Sequence, residues 1–204
     1  MSRVDMWQIE NGYYAQGFRM ICGVDEAGRG PLAGPVCAAA VILPPNIEIP
    51  GLDDSKKLSD KRRRELFPII KESAIAYGIA FSSEIEIDQI NILQATYLAM
   101  ERAIEQLTVK PQFALIDGNR SKDFGLPLEA VVHGDSRSAS IAAASILAKV
   151  TRDDFMLQIA HEYPQYSFDI HKGYGTKLHY AALAEHGPCP IHRMTFLRKL
   201  YGTE

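Results

Sequence analysis

The sequence predicts an α/β fold, a sheet covered by helices. Two strand-type segments open the chain, and strands then alternate with helices through its middle. One long helix is also dense in the small residues that let a helix lie close against a sheet.

Taken in order, Phe18 to Asp25 reads as a strand, and Val36 to Leu43 as a second, closed by Pro44-Pro45. A helix starts near Ser59 and runs through a basic cluster toward Lys71, with Pro68 weakening its later part. Ala74 to Phe81 is a third strand. In the next helix Leu93, Tyr97, Met100, Ile104 and Leu107 follow the three-and-four spacing of a core face, and Pro111 lies beyond its end. Phe113 to Asp117 is a buried-type strand ending in a carboxylate, and Ala130 to Asp135 repeats that design. Ser138 to about His161 is the alanine- and serine-rich helix. Thr176 to His186 is another, capped by Thr176 and stopped by Gly187-Pro188. There is no repeat, low-complexity tract or linker. The expected organisation is one domain over residues 1–204, with a leader over about 1–17 and a C-terminal helical part over about 162–204.

With 204 residues, 47% hydrophobic and 23% charged, the composition is that of a soluble globular protein with a real core. The longest apolar run, Val36 to Leu43, is too short to span a bilayer. Met1 to Glu10 contains no apolar core of a signal peptide, so the expected location is the cytoplasm. Cys22, Cys37 and Cys189 are odd in number and lack C-x-x-C spacing, which argues against a disulfide framework and a zinc site. The net charge of -3 conceals two basic segments. Lys56, Lys57, Lys61, Arg62, Arg63 and Arg64 crowd one, and Lys172, Lys177, Arg193, Arg198 and Lys199 mark the tail. A solvated face is the ordinary reading of either. Together, around an acidic cluster, they suit a polyanion held over metal ions.

That cluster is the main chemical signal. Asp25 with Glu26, Asp117, and Asp135 each follow an apolar strand and precede a turn. An unpaired buried carboxylate is costly, and four converging on one patch would repel one another unless cations sit among them. Oxygen ligands without Cys or His select magnesium or manganese over zinc. Two such ions, typically ~4 Å apart, serve an in-line displacement at phosphorus. In a regular strand Asp25 and Glu26 point to opposite faces, so both ligate only if the strand breaks there or one offers its carbonyl. The turn Gly28-Arg29-Gly30 does not match a P-loop, but its bare amides and arginine suit a phosphate or sugar.

On these residues the chain resembles the bacterial ribonuclease HII family, the type 2 ribonucleases H, over nearly its whole length. The motifs are Gly23 to Pro31 (GVDEAGRGP), Asp54 to Ser59 (DSKKLS), Leu115 to Gly118 (LIDG) and Gly134-Asp135. Ser140 to Asp153 (SIAAASILAKVTRD) and His171 to Thr176 (HKGYGT) complete the set. The resemblance implies a ribonuclease H-like fold: a mixed central sheet flanked by helices, with a C-terminal helical extension. It implies cleavage of RNA in RNA–DNA hybrids and incision at single ribonucleotides in duplex DNA, with Mg2+ or Mn2+ as cofactor. By position, Asp25, Glu26, Asp117 and Asp135 match the four catalytic, metal-binding acids. Gly28, Arg29 and Gly30 match the turn that reads the ribose 2′-hydroxyl, and Tyr174 matches the tyrosine that packs on the next deoxyribose. Ser55, Lys56 and Lys57 are further expected substrate contacts. The short stretch before the first strand counts against the type 3 enzymes, which carry an additional N-terminal domain.

The 2′-hydroxyl is the group that separates RNA from DNA at a given sugar, and glycine lets backbone approach it closely. Lys149 and Asp153, four apart on a helix, read as an ordinary ion pair. His133, His171, His179 and His192 have no partner recognisable from spacing, and none is assigned a role. The expected partners are RNA–DNA hybrid and ribonucleotide-containing duplex, with no membrane, no obligate protein partner, and a monomeric state. The rivals are another nuclease of the same fold, such as a resolvase, and a catalytically silent nucleic-acid-binding module.

Overall fold

Val36 to Ile42 reads VCAAAVI, seven residues without a charged side chain, and such a run suits only a strand covered on both faces. In the structure, a computed structural model that describes residues 5–53 and 55–202, all seven are buried. This strand, β2 (Val36–Ile42), lies between β1 (Ile21–Ala27) and β3 (Ala76–Ser82), antiparallel to both. β4 (Phe113–Asp117) and β5 (Leu128–Val131) extend the sheet on the other side of β1 in parallel, in the order β3-β2-β1-β4-β5. The expected mixed sheet is what the chain forms.

Helices cover both faces. α4 (Ala139–Glu162) lies on one, so close that a Cβ on Gly23 would stand 2.1 Å from the Ser140 carbonyl carbon. The small residues of α4 make that approach possible. α2 (Asp60–Ser73) packs beside it, burying Leu66 and Ile70 completely, each worth roughly 1.5–3 kcal/mol. Its Ser59 cap accepts from the Arg62 amide at 3.2 Å, and Pro68 does not end it. α3 (Glu84–Glu105) covers the opposite face, with Ala95, Ala99, Met100 and Ala103 against Cys22, Val24, Ala38 and Ala40.

Three differences from the sequence reading have local causes. α3 is kinked at Asn91 (φ 67, ψ 163), whose Oδ1 accepts from the Leu93 and Gln94 amides and caps a second helical segment. Leu93 therefore sits at the start of that segment, 38% exposed, and is not part of the core stripe. The expected leader contains α1 (Gln8–Ala15), whose buried Glu10 accepts from the Ser138 hydroxyl and the Ser140 amide at the start of α4. Residues 1–4 of that leader, and Asp54 of the lysine-rich loop, lie outside the described residues.

The C-terminal part carries α5 (Phe168–His171), α6 (Lys177–His186) and α7 (Met194–Tyr201). Tyr166, Phe168, Leu183, Ile191 and Leu197 pack on Met156 and Ile159 of α4 and on Leu32 and Ala33 after β1. Backbone bonds stitch the same contact: Leu32 N to Gly173 O, Gly34 N to Ile191 O, and Arg193 N to Leu32 O, at 2.8 to 2.9 Å. Cys22, Cys37 and Cys189 are free thiols, and burial pushes that of Cys22 up to about 12. Among the described residues no helix is long and apolar enough to cross a membrane.

Candidate active site at the ends of two parallel strands

β1 and β4 run parallel with Val24 beside Ile116, so the residues that follow, Asp25 and Asp117, stand next to each other at the carboxyl ends of the strands. The crevice outside such ends is where open α/β sheets bind ligands. Asp135 reaches the same place by a different route from the expected one. β5 stops at Val131, His133 takes a left-handed conformation (φ 55), and a short 3₁₀ turn, Gly134–Ser136, carries the acid. The turn is tied down by the Gly134 amide, which donates to Asp117 Oδ1 at 2.7 Å. One carboxylate oxygen each from Asp25, Asp117 and Asp135 lie within 4.8 Å of one another.

Glu26 stands outside that trio. β1 does not break after Asp25; Glu26 pairs with Ala38 and Ala27 with Cys37. Strand alternation thus sends Asp25 to the α4 face and Glu26 to the α3 face. Glu26 still borders the cleft, 3.5 Å from Arg29 Nη1.

The electrostatics are those of a buried acid cluster in which carboxylates repel one another. Burial, then repulsion from Glu26 and Asp117, holds the Asp25 carboxyl well above its ordinary value, although it accepts the Glu26 amide at 2.7 Å. Burial and Asp135 raise Asp117, against the Gly134 hydrogen bond. Burial also raises Glu26, with Arg29 opposing. Lys56 Nζ donates to Asp135 Oδ2 at 2.8 Å, and that bond lifts the ammonium above its usual range. Three converging carboxylates, two of them, Asp25 and Asp117, with raised affinity for protons, are a donor set that a hard divalent cation fits.

The structure brings Gly28, Arg29, Gly30, Ser55, Lys56 and Tyr174 into the same cleft as Asp25, Glu26 and Asp117. A Cβ on Gly30 would lie 3.7 Å from Tyr174 Cε1, so the glycine turn and the tyrosine are neighbours although 144 positions separate them in sequence. Lys57 is not in the cleft; it is exposed and pairs with Asp53 at 3.4 Å. Sequence reasoning missed Arg63, Ser145 and Lys149 as cleft residues. Ser145 Oγ lies 2.6 Å from Ser55 Oγ and favours the ionised form of Asp25. Lys149 makes the expected ion pair with Asp153 at 2.8 Å and also lies 6.0 Å from the Tyr174 ring centre. Ser145 repeats the buried α4 spacing of Ala148, Arg152 and Met156, the signal that places it against the sheet.

The histidines support the tyrosine turn from behind. His179 Nδ1 donates to Tyr174 O at 2.9 Å, and its Nε2 lies 3.0 Å from His192 Nε2. His171 Nε2 lies 2.8 Å from Tyr166 O, and its Nδ1 accepts from the Gly173 amide. Burial lowers all three imidazoles, His192 to about 4, and keeps them neutral.

Comparison with known proteins follows the same lines. A profile of the family described as ribonuclease HII matches residues 22–199. The ribonuclease HII of Endomicrobium trichonymphae is 56% identical over 194 residues, covering 94% of this chain and 92% of its own. Ribonuclease HII 1 of Methylibium petroleiphilum is 60% identical over 177 residues, 87% of this chain and 89% of its own. Among solved structures, the ribonuclease H2 of Pyrococcus horikoshii superposes with a TM-score of 0.73 at 26% identity, covering 90% of this chain and 99% of that one. The ribonuclease HII in a complex with PCNA from Archaeoglobus fulgidus gives 0.71 at 27%, over 86% and 94%.

Proposed function

Because the chain belongs to the ribonuclease HII family, whose members are metal-dependent ribonucleases H acting on RNA–DNA hybrids, we propose that it also incises duplex DNA 5′ of single embedded ribonucleotides. The products are 3′-hydroxyl and 5′-phosphate ends. Asp25, Glu26, Asp117 and Asp135 form the catalytic set and would hold Mg2+ or Mn2+, two ions in the active complex, with Glu26, whose strand does not break, joining through its backbone carbonyl. Such ions, when bound, activate water and stabilise the leaving oxygen at phosphorus.

The chain's own residues supply aim and selectivity. Lys56 and Lys149 line the cleft and attract the scissile phosphate. Gly28, Arg29 and Gly30 present backbone and one guanidinium to the ribose, and the Tyr174 ring packs on the deoxyribose that follows. The observation that carries this reading is the juxtaposition in one cleft of Asp25 and Asp117, with Asp135 clustered beside them, and the neighbouring Gly30 and Tyr174. A silent binding module gains nothing from uncompensated negative charge where a polyanion must sit. Repair of ribonucleotides in DNA, a cytoplasmic location and a monomeric state accompany the proposal.

Asp25→Asn is the test. It should reduce cleavage of a single-ribonucleotide duplex by at least roughly a thousandfold, the scale of losing a principal transition-state stabiliser, while the duplex still binds. Full activity in that variant would refute the assignment.

A further inference from the structure

The loop from Gly28 to Pro35 is built around two arginines, both 0% exposed. Arg193, which immediately precedes α7, donates through Nε to Gly34 O at 2.8 Å, Nη1 to Arg29 O at 2.9 Å and Nη2 to Gly28 O at 2.6 Å. Arg152 on α4 donates through Nε to Pro35 O at 3.0 Å, Nη2 to Ala33 O and Nη1 to Lys172 O, both at 3.1 Å. Five of these six carbonyls belong to the loop; the sixth lies two residues before Tyr174.

Neither guanidinium forms an ion pair with a carboxylate among the described residues. Burial depresses both, Arg193 to about 9. Burying an unpaired cation is expensive, and packing alone would be served by an apolar side chain. What the planar fork adds is direction. In a trans peptide the C=O and the following N–H point opposite ways. Drawing the Gly28 and Arg29 carbonyls inward onto Arg193 therefore turns the Arg29 and Gly30 amides outward, on the residues that line the cleft. Neither amide donates a hydrogen bond among the described residues. Gly28 (φ +97) has no room for a side chain, since its Cβ would lie 1.9 Å from Arg152 Nε. Through Lys172, Arg152 fastens the tyrosine turn to the same frame.

We propose that Arg152 and Arg193 are positioning residues that aim the Arg29 and Gly30 amides and the Tyr174 turn, and so set the selectivity for ribose without touching the substrate. The inference rests on the reading of that turn given under Proposed function. Removing either fork lets the loop carbonyls rotate, and the outward amides lose their fixed direction.

The test is made in the Asp25→Asn protein, expected to bind without cutting. Affinity is measured by fluorescence anisotropy for a duplex with one ribonucleotide and for its all-DNA counterpart, in Mg2+. The parent should prefer the ribonucleotide. Adding Arg193→Lys, and separately Arg152→Lys, should lower that preference by about tenfold, roughly the worth of one hydrogen bond. Affinity for the all-DNA duplex should be unchanged. Circular dichroism and melting establish that each variant is folded. An undiminished preference in the folded variants overturns the clamp, as does an equal loss of all-DNA affinity. Failure of both variants to fold also overturns it, by making the arginines a requirement of the fold. A parent with no preference for ribose sinks the reading of the turn itself, and the clamp with it.

Discussion

Asp25 on β1 and Arg193 before α7 are both buried charges bordering one functional region, and the protein treats them in opposite ways. Around Asp25 the neighbours are Glu26, Asp117 and Asp135, so like charges accumulate and carboxyl pKa values rise. Around Arg193 three backbone carbonyls meet the fork at 2.6 to 2.9 Å. The acid centre concentrates like charge, which suits a site that binds exchangeable cations. The loop clamp is complete within the chain, which suits a surface that must have its shape before the substrate arrives. The two regions meet at Gly28 to Gly30, directly after the acids.

The largest effect expected from the reading side alone is that of Tyr174→Ala. It should cut discrimination for the ribose–deoxyribose step by roughly ten- to a hundredfold, the range of losing an aromatic packing contact on a nucleotide. Mn2+ affinity, measured calorimetrically, should stay the same. With Tyr174 41% exposed, the folding stability should move by no more than ~0.5 kcal/mol. A loss of metal binding in this variant would merge the two regions into one.

Next in size is a pH effect on the acid centre. Asp25, Glu26 and Asp117 have raised pKa values in the folded protein. Between the ordinary carboxylate range and those raised values the folded chain binds more protons than the unfolded one, so metal-free stability falls as pH rises through that window. The lowered imidazoles of His171, His179 and His192 slope the other way, losing stability as pH falls below about 6.5. The gain in Tm on adding Mg2+ or Mn2+ isolates the acids: it should grow from about pH 5 to about pH 8. A gain independent of pH would show that the ions bind elsewhere.

The smallest effect concerns Lys56, whose ammonium rests on Asp135 at 2.8 Å. Lys56→Ala should tighten Mn2+ binding by a factor of about two to five, by removing a competing cation from a partly solvated site. It should also weaken affinity for the duplex. Weaker Mn2+ binding would mean that Lys56 organises the acids instead of competing for them.

How much of this was legible in the sequence follows from what each residue contacts. Asp25 and Asp117 were readable because an apolar strand that ends in acid is a local pattern, and the sheet register then set them side by side. Asp135 lies beside Asp25 and Asp117 but on a turn and not at a strand end, since nothing in Val132-His133 signals the left-handed residue that separates it from β5. Glu26 showed its limitation in advance: strand alternation alone sends it to the other face. α1 reads as a leader because its apolar face is short, with Ile9 and Tyr13 one turn apart packing on the cluster around Phe113, and its one fully buried residue is the acid Glu10. The clamp was hidden more deeply. Arginines normally read as solvated, and their partners are carbonyls, which leave no trace in residue identity. Arg152 on the buried spacing of Ser145, Ala148 and Met156 was the one available hint; Arg193, beside a proline-rich turn, offered none.

Product mapping on a duplex that carries a single ribonucleotide is the decisive measurement of this cleavage. With Mg2+ or Mn2+ one nick is expected, on the 5′ side of the ribonucleotide, leaving a 3′-hydroxyl, and none when a chelator is added or the sugar is deoxyribose. No nick at the ribonucleotide, or equal cutting of the all-DNA duplex, would contradict it.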